Sequence, residues 1–310
     1  MRVDVRAVAV VLVAVAFALA ALAAVAGSAT AGSSSGLIVA VGAENEYANV
    51  ISEIGGRYVK VSAIESNPNI DPHTFEASPS VARAVSAAQV VVQNGLGYDT
   101  FMNNIESASP SSARKVIDVQ KLLGLPSSTP NPHLWYRTTT MPAVARALVG
   151  DLSQIQPSHR AYFEANATRF DDSLRPWYAA LAAFSKRYPK TPVATTEPVG
   201  DYMLEAAGTL DETPFPLQAD IMNGVDPAPQ AVTFQGSLFS KHLVKVFVYN
   251  QQVADSLTAS FLADAKKYAI PVVGVYETMP TPGYDYQTWM LAEINALQKA
   301  VADKISTQKL

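Results

Sequence analysis

The sequence predicts an α/β protein of two lobes, each built on a mostly parallel sheet with helices on both faces, joined by one long rigid helix. Three observations predict it. Short apolar runs alternate with helical stretches through the first half, the spacing of βαβ units. The second half repeats that alternation without an alignable sequence repeat. Between them lies a helical pattern of about 30 residues, which spans on the order of 45 Å.

The chain has 310 residues, more than one ordinary core accommodates. Its 49% hydrophobic and 16% charged residues mark a globular chain, and a net charge of −4 without any Lys/Arg run argues against a nucleic-acid surface. The partner is expected to be small or another protein. At the N-terminus, Arg2 and Arg6 precede an apolar run from Ala7 to Ala26, followed by Ala29-Thr-Ala31. That is the pattern of a secretory signal cleaved before Gly32, and the run is also long enough to serve as an uncleaved anchor. Residues 1–31 are therefore signal or anchor and 32–36 a linker. The N-terminal lobe follows over 37–157, the connecting helix over 158–188 and the C-terminal lobe over 189–310. No cysteine exists in the chain, which excludes a disulfide framework, a thiolate zinc site, a cysteine nucleophile and a lipid-modified cysteine.

Leu37-Ile-Val-Ala-Val-Gly42 reads as a strand buried on both faces, and the helix from Glu44 to Ile54 stops at Gly55-Gly56. A second strand, Tyr58 to Ile64, leads into Ser66-Asn-Pro-Asn-Ile-Asp-Pro-His-Thr-Phe-Glu76, where two prolines and two asparagines end the strand and stiffen a turn carrying His73. Ser78 caps the next helix with Pro79 at its first position. Gln89 to Gln93 is the third strand, and the turn Asn94-Gly-Leu-Gly97 needs the backbone freedom of glycine. A helix from Tyr98 to Glu106 and a strand from Lys115 to Val119 complete four strand–helix units. A second proline-dense loop, Gly124 to His133, precedes a helix over 141–156. Pro157 opens the connector, and Pro176 inside it should kink or break it. In the second half, strands at 191–196, 244–249 and 270–276 alternate with helices at 200–207, 256–268 and 286–304. Glu197 and Glu277 stand directly beyond the first and last of these strands.

Four potential ligands thus occupy loops at the ends of strands: His73, His133, Glu197 and Glu277. In open α/β sheets, ligands bind outside the carboxyl ends of the strands, so the four can converge between two lobes. Two imidazoles and two carboxylates make a closed shell for a first-row divalent ion. Singly, each reads more readily as a surface turn or rim charge. His159 and His242, beside charged neighbours on a helix start and a polar turn, read as surface residues. Trp135, Tyr136, Trp177 and Trp289 read as packing, with Trp135 placed to wall the site. The chain has no G-x-x-x-x-G-K-[ST], G-x-S-x-G or H-E-x-x-H motif, so neither ATP hydrolysis nor those hydrolytic chemistries is expected.

In order, Asn67-Pro-Asn-Ile-Asp-Pro-His-Thr-Phe-Glu76, Ser78-Pro-Ser80, Asn94-Gly-Leu-Gly-Tyr98, Asn131-Pro-His-Leu-Trp135, Glu197-Pro-Val199 and Glu277-Thr-Met-Pro280 resemble the metal-binding solute-binding proteins of bacterial zinc and manganese ABC transporters. The resemblance runs from about Leu37 onward. It implies two lobes of four-stranded sheet joined by one long helix, with little hinge motion. It implies metal ligands at His73, His133, Glu197 and Glu277. It implies no enzyme but an exported monomeric receptor, in the periplasm or on the outer face of the membrane, that carries Zn²⁺ or Mn²⁺ to a membrane permease. Three departures stand out. Many members have Asp where this chain has Glu277. Zinc-selective members often have His where it has Glu197, and a His-rich loop that 107–130 lacks. Gram-positive members usually carry a lipidated cysteine. Oxygen ligands suit manganese while the general affinity order favours zinc, so both ions stay open. A metal-dependent hydrolase on the same shell and a metal-stabilised surface adhesin are the competing readings. Because water can replace a reaching carboxylate, His73→Ala is expected to cost more binding than Glu277→Ala.

Overall fold

The computed structural model describes residues 36–310; the signal or anchor segment and all but the last residue of the linker lie outside the described residues. No described helix is long and apolar enough to cross a membrane. Two four-stranded parallel sheets carry the fold. The first joins β1 (Ile38–Glu44), β2 (Val59–Glu65), β3 (Val90–Gln93) and β4 (Lys115–Asp118) in the order β2-β1-β3-β4. The second joins β5 (Pro192–Thr195), β6 (Leu210–Asp211), β7 (Val246–Asn250) and β8 (Val272–Val275) in the order β6-β5-β7-β8. The same strand order is built twice from unrelated sequence.

Each sheet is covered on both faces, and the strand period of two decides which side chain goes where. In β3, Val90 and Val92 enter a large core while Val91 turns to a smaller one with Met102 and Val85. In β7, Val246 and Val248 enter the same large core while Phe247 and Tyr249 pack with Leu217, Phe239 and Phe261. The large core is therefore common to both lobes. Helices α1 (Asn45–Gly55), α2 (Pro79–Ala87), α3 (Thr100–Ala108), α4 (Val119–Leu122) and α5 (Thr140–Ile155) belong to the first lobe. Tyr47, Val50, Ile51 and Ile54 of α1 and Val144 and Leu148 of α5 enter that common core.

The connector differs from the single helix expected over 158–188. It is a 3₁₀ turn at Pro157–His159, then α6 (Arg160–Ser173) and α7 (Arg175–Arg187), separated at Leu174. Pro176 has no N–H to continue the ladder and its ring crowds the preceding turn, which breaks the helix where the sequence places the kink. Rigidity comes from burial: Phe163, Phe170, Leu174, Trp177, Leu181 and Phe184 line up in the common core. The second lobe continues with α8 (Asp201–Ala206), α9 (Phe215–Met222), α10 (Pro229–Ser240), α11 (Ser256–Lys267) and α12 (Tyr286–Asp303). The sequence assigns no element between 209 and 243, where the structure has β6, α9 and α10. A two-residue edge strand is too short to show a period, and prolines at the starts of both helices resemble loop punctuation. Tyr286, Trp289, Ile294 and Leu297 of α12 also enter the common core, and the Tyr286 hydroxyl donates to the Trp135 carbonyl at 2.6 Å, tying the lobes together.

Candidate metal centre

The carboxyl ends of both sheets face one another, and the four candidate ligands meet there to different degrees. His73 sits in a 3₁₀ turn, Pro72–Thr74, whose start is fixed by the Asp71 carboxylate accepting from the His73 backbone N–H at 2.8 Å. Pro72 is buried, so the turn is anchored while the imidazole keeps 24% of its side chain exposed. His133 precedes a second 3₁₀ turn, Leu134–Tyr136, and is fully buried. Glu277 lies just past β8 with its side chain fully buried. Nε2 of His73 and Nε2 of His133 each lie 3.2 Å from Oε2 of Glu277. Ligand atoms of these three residues lie within 4.8 Å of one another. Glu197 is the one of the four outside this group. It is joined to it through Asn250, whose Nδ2 donates to Glu277 Oε1 at 2.7 Å and to Glu197 Oε1 at 3.2 Å. Glu197 Oε2 is buried with no hydrogen-bond partner.

The hydrogen bonds around His133 define its proton. The backbone N–H of His133 donates to Asn131 Oδ1 at 2.9 Å, and Asn131 Nδ2 donates to the Pro198 carbonyl at 2.6 Å, which fixes the amide's orientation. Nδ1 of His133, 2.8 Å from the same Oδ1, must therefore carry the hydrogen. The neutral ring then turns the lone pair of Nε2 onto the Glu277 carboxylate. A lone pair facing a carboxylate oxygen at this distance requires a cation between them, a proton or a metal ion. A ligating histidine held by a buried acceptor on its other nitrogen is the usual support of a metal site.

The electrostatics agree. Burial opposes ionisation of Glu277, but the two imidazoles that face it outweigh burial and hold its carboxyl well below the usual range. Burial pushes His133 down, against the pull of Glu277, so this ring favours the neutral form a metal needs. At His73 burial also acts downward, yet its hydrogen bond to Glu277 prevails and raises it. Glu197 is pushed well up, by burial first and then by the Glu277 charge. Tyr98 donates to Glu277 Oε2 at 3.0 Å, and Trp135 packs edge-on to His133 with ring centres 5.4 Å apart, walling the site as expected. His159 stacks on Tyr58 and His242 is exposed, both away from this centre.

The geometry does not favour Glu277 as the replaceable ligand. Its Oε2 is the atom on which both imidazoles and Tyr98 converge, and it is more deeply buried than His73. Asn131 and Tyr98 lie in motifs that the sequence shows without marking a role for either, and Asn250 and Gln252 lie outside those motifs. The signal for the last two was present: Asn250-Gln-Gln252 is a polar cluster at the end of an apolar strand, the same pattern that singles out Glu197 and Glu277. Gln252 Oε1 accepts from the backbone of Glu277 at 2.7 Å, while its Nε2 donates to the Ile70 carbonyl at 2.7 Å, linking the fourth candidate ligand to the His73 loop.

Comparison with known proteins bears on this arrangement. The family model described as zinc-uptake complex component A, periplasmic (ZnuA), matches residues 41–300. The manganese-binding lipoprotein MntA of Bacillus subtilis (strain 168) is 27% identical over 137 residues, which cover 42% of this chain and 44% of that protein. The match thus spans less than half the length of that relative. Among solved structures, the Mn-bound periplasmic metal binding protein of Candidatus Liberibacter asiaticus has a TM-score of 0.68 at 17% identity, over 85% of this chain and 99% of that one. A laminin-binding adhesin (Lmb) of Streptococcus agalactiae, solved as a mutant, has a TM-score of 0.70 at 17% identity with the same coverage. At such identities the likeness is one of fold.

Proposed function

Since this chain belongs to the family of zinc-uptake complex component A, we propose that it is an exported receptor that captures a divalent transition metal, Zn²⁺ or Mn²⁺, between its lobes and delivers it to an ABC transporter permease. His73, His133, Glu197 and Glu277 are the proposed ligands. The observation that carries the reading is the convergence of two imidazole nitrogens from one lobe on one carboxylate oxygen from the other, all inside a site that needs a cation. Glu197 supplies a fourth donor, because its unpartnered Oε2 is a buried acceptor waiting for a positive charge. Nitrogen and oxygen donors in this number suit a first-row divalent ion.

A hydrolase on the same shell needs an open coordination position and a spare base. Four protein ligands leave little room for that, so the loaded protein is expected to turn over no ester, phosphate or peptide. A monomer suffices for this role, since both ligand pairs come from one chain. Calorimetric titration of chelator-stripped protein with Zn²⁺ and with Mn²⁺ tests the reading. One tight site per chain is the expected result, and absence of binding by either ion overturns it.

A further inference from the structure

We propose that Asn250 is a positioning residue that sets which ion the site prefers, by holding one oxygen of each carboxylate so that Glu197 and Glu277 each offer a single donor atom. The inference rests on the four-ligand reading above. Asn250 is the last residue of β7 and is fully buried. Its orientation is fixed from both sides: Oδ1 accepts from the Gln252 backbone at 3.0 Å, and its own N–H donates to Thr196 Oγ1 at 2.9 Å. The side-chain nitrogen is therefore the atom turned to the site, and its two hydrogens go to Glu277 Oε1 and Glu197 Oε1. A neutral amide between the two buried carboxyls bonds both without adding charge.

Each glutamate keeps one oxygen that Asn250 does not hold. Glu277 Oε2 faces both imidazoles and accepts from Tyr98 at 3.0 Å, and Glu197 Oε2 has no partner. With the two Nε2 atoms this gives four donors, two nitrogen and two oxygen, the number and kind that satisfy tetrahedral Zn²⁺. Mn²⁺ seeks an octahedral, oxygen-rich shell, which a buried site supplies when carboxylates chelate through both oxygens or water completes the sphere. Asn250 opposes the first route, because in chelation the oxygen that accepts from the amide must share its electron density with the ion. Burial of His133, Glu197 and Glu277 restricts the second, leaving solvent access on the side of His73 alone. Asn250 thus biases the site toward zinc.

Asn250→Leu removes both donors and keeps the side chain's approximate size. Losing such a supporting partner weakens metal binding by roughly 10–100-fold. That loss is expected for Zn²⁺, with Mn²⁺ losing less because freed oxygens can chelate it, so the ratio of Mn²⁺ to Zn²⁺ dissociation constants falls by about tenfold or more. Equal losses for both ions would reduce Asn250 to general support and overturn the proposal. X-ray absorption of the unaltered protein tests it independently of how the variant folds. Zn²⁺ is expected with two nitrogen and two single-oxygen donors, and chelating carboxylates around Zn²⁺ would overturn the proposal. His133→Ala in the same titrations separates the two levels. If it leaves binding intact, the four-ligand reading itself fails, whereas a large loss there with an unchanged ion ratio in Asn250→Leu refutes the role of Asn250 alone.

Discussion

β1 and β5 occupy the same place in their sheets, and each runs into a buried glutamate: Glu44 ends β1 and Glu197 stands just past β5. Burial pushes both carboxyls well up. Their surroundings then diverge. Glu197 accepts a hydrogen bond from Asn250 and shares it with Glu277, opposite two histidines. Glu44 lies beside Glu65 in register, with Asp99 and Glu46 nearby, and neither oxygen of Glu44 or of Glu65 has a hydrogen-bond partner among the described residues. β3 and β7 show the same split. Asn94, past β3, uses its amide on Tyr47 and the Pro132 carbonyl, whereas Asn250 turns its amide onto carboxylates. One topology thus yields carboxyls held by an amide opposite two imidazoles in the second lobe and carboxyls with no donor among the described residues in the first. The difference lies in which donors and imidazoles face them.

The largest test of this contrast is at its hub. Glu277→Ala removes the oxygen shared by both imidazoles, and its cost in Zn²⁺ affinity is expected to exceed the ~100-fold upper range of losing an outer partner. His133→Ala should match it. His73→Ala should cost least of the three, since water reaches that side. Competition against a chelator measures all three, and a milder loss for Glu277→Ala than for His73→Ala would restore the order expected from the sequence. One step smaller is Asn131→Leu, which frees the His133 tautomer and should weaken binding by roughly 10–100-fold. An unchanged affinity would mean that the imidazole keeps its orientation without that acceptor.

The acids of the first lobe can be read through stability. Burial first, and Asp99 next, push Glu65 to about 9, and burial pushes Glu46 to about 8. Folded pKa values above unfolded ones mean that the native state holds more protons between roughly pH 4.5 and those values. Stability of the metal-free protein should then fall as pH rises through that window, by up to about 1.4 kcal/mol per pH unit for each group. Denaturant melts at pH 5.5 and 8 should show Glu65→Gln and Glu46→Gln flattening this slope. A slope unaltered by either change would mean that these carboxyls are ionised and have found a cation. The smallest effect lies at the helix starts, where the lobes differ less. Asp255 caps α11 in a reciprocal box with Thr258, while Ser78 caps α2 through one long bond of 3.4 Å to Val81. Asp255→Ala is expected to cost about 1 kcal/mol and Ser78→Ala less, by thermal or denaturant unfolding.

Much of this was legible along the chain. Apolar runs located seven of the eight strands; in the central strands β1 and β3 they are continuous because a strand covered on both faces has no polar side, and in β2 and β4 polar residues interrupt them. Prolines marked the His73 loop and the break at Pro176 because their fixed φ and missing N–H act on the chain locally. The chemistry of His73, His133, Glu197 and Glu277 was legible for the same reason, since residue type and strand end are local facts. The hierarchy among them was not. His133 and Glu277 are 144 residues apart and Tyr98 and Glu277 are 179 apart, so their meeting depends on how two lobes pack on a shared core. That packing decided that Glu277 stands at the centre, while the strand order of the second sheet puts Asn250 between it and Glu197. The register of β1 on β2 likewise sets Glu44 beside Glu65, and neither has a donor among the described residues. Local composition specifies which groups arrive at the strand ends. Hydrogen bonds and burial, which fix distance and charge state, exist only once the strands are side by side.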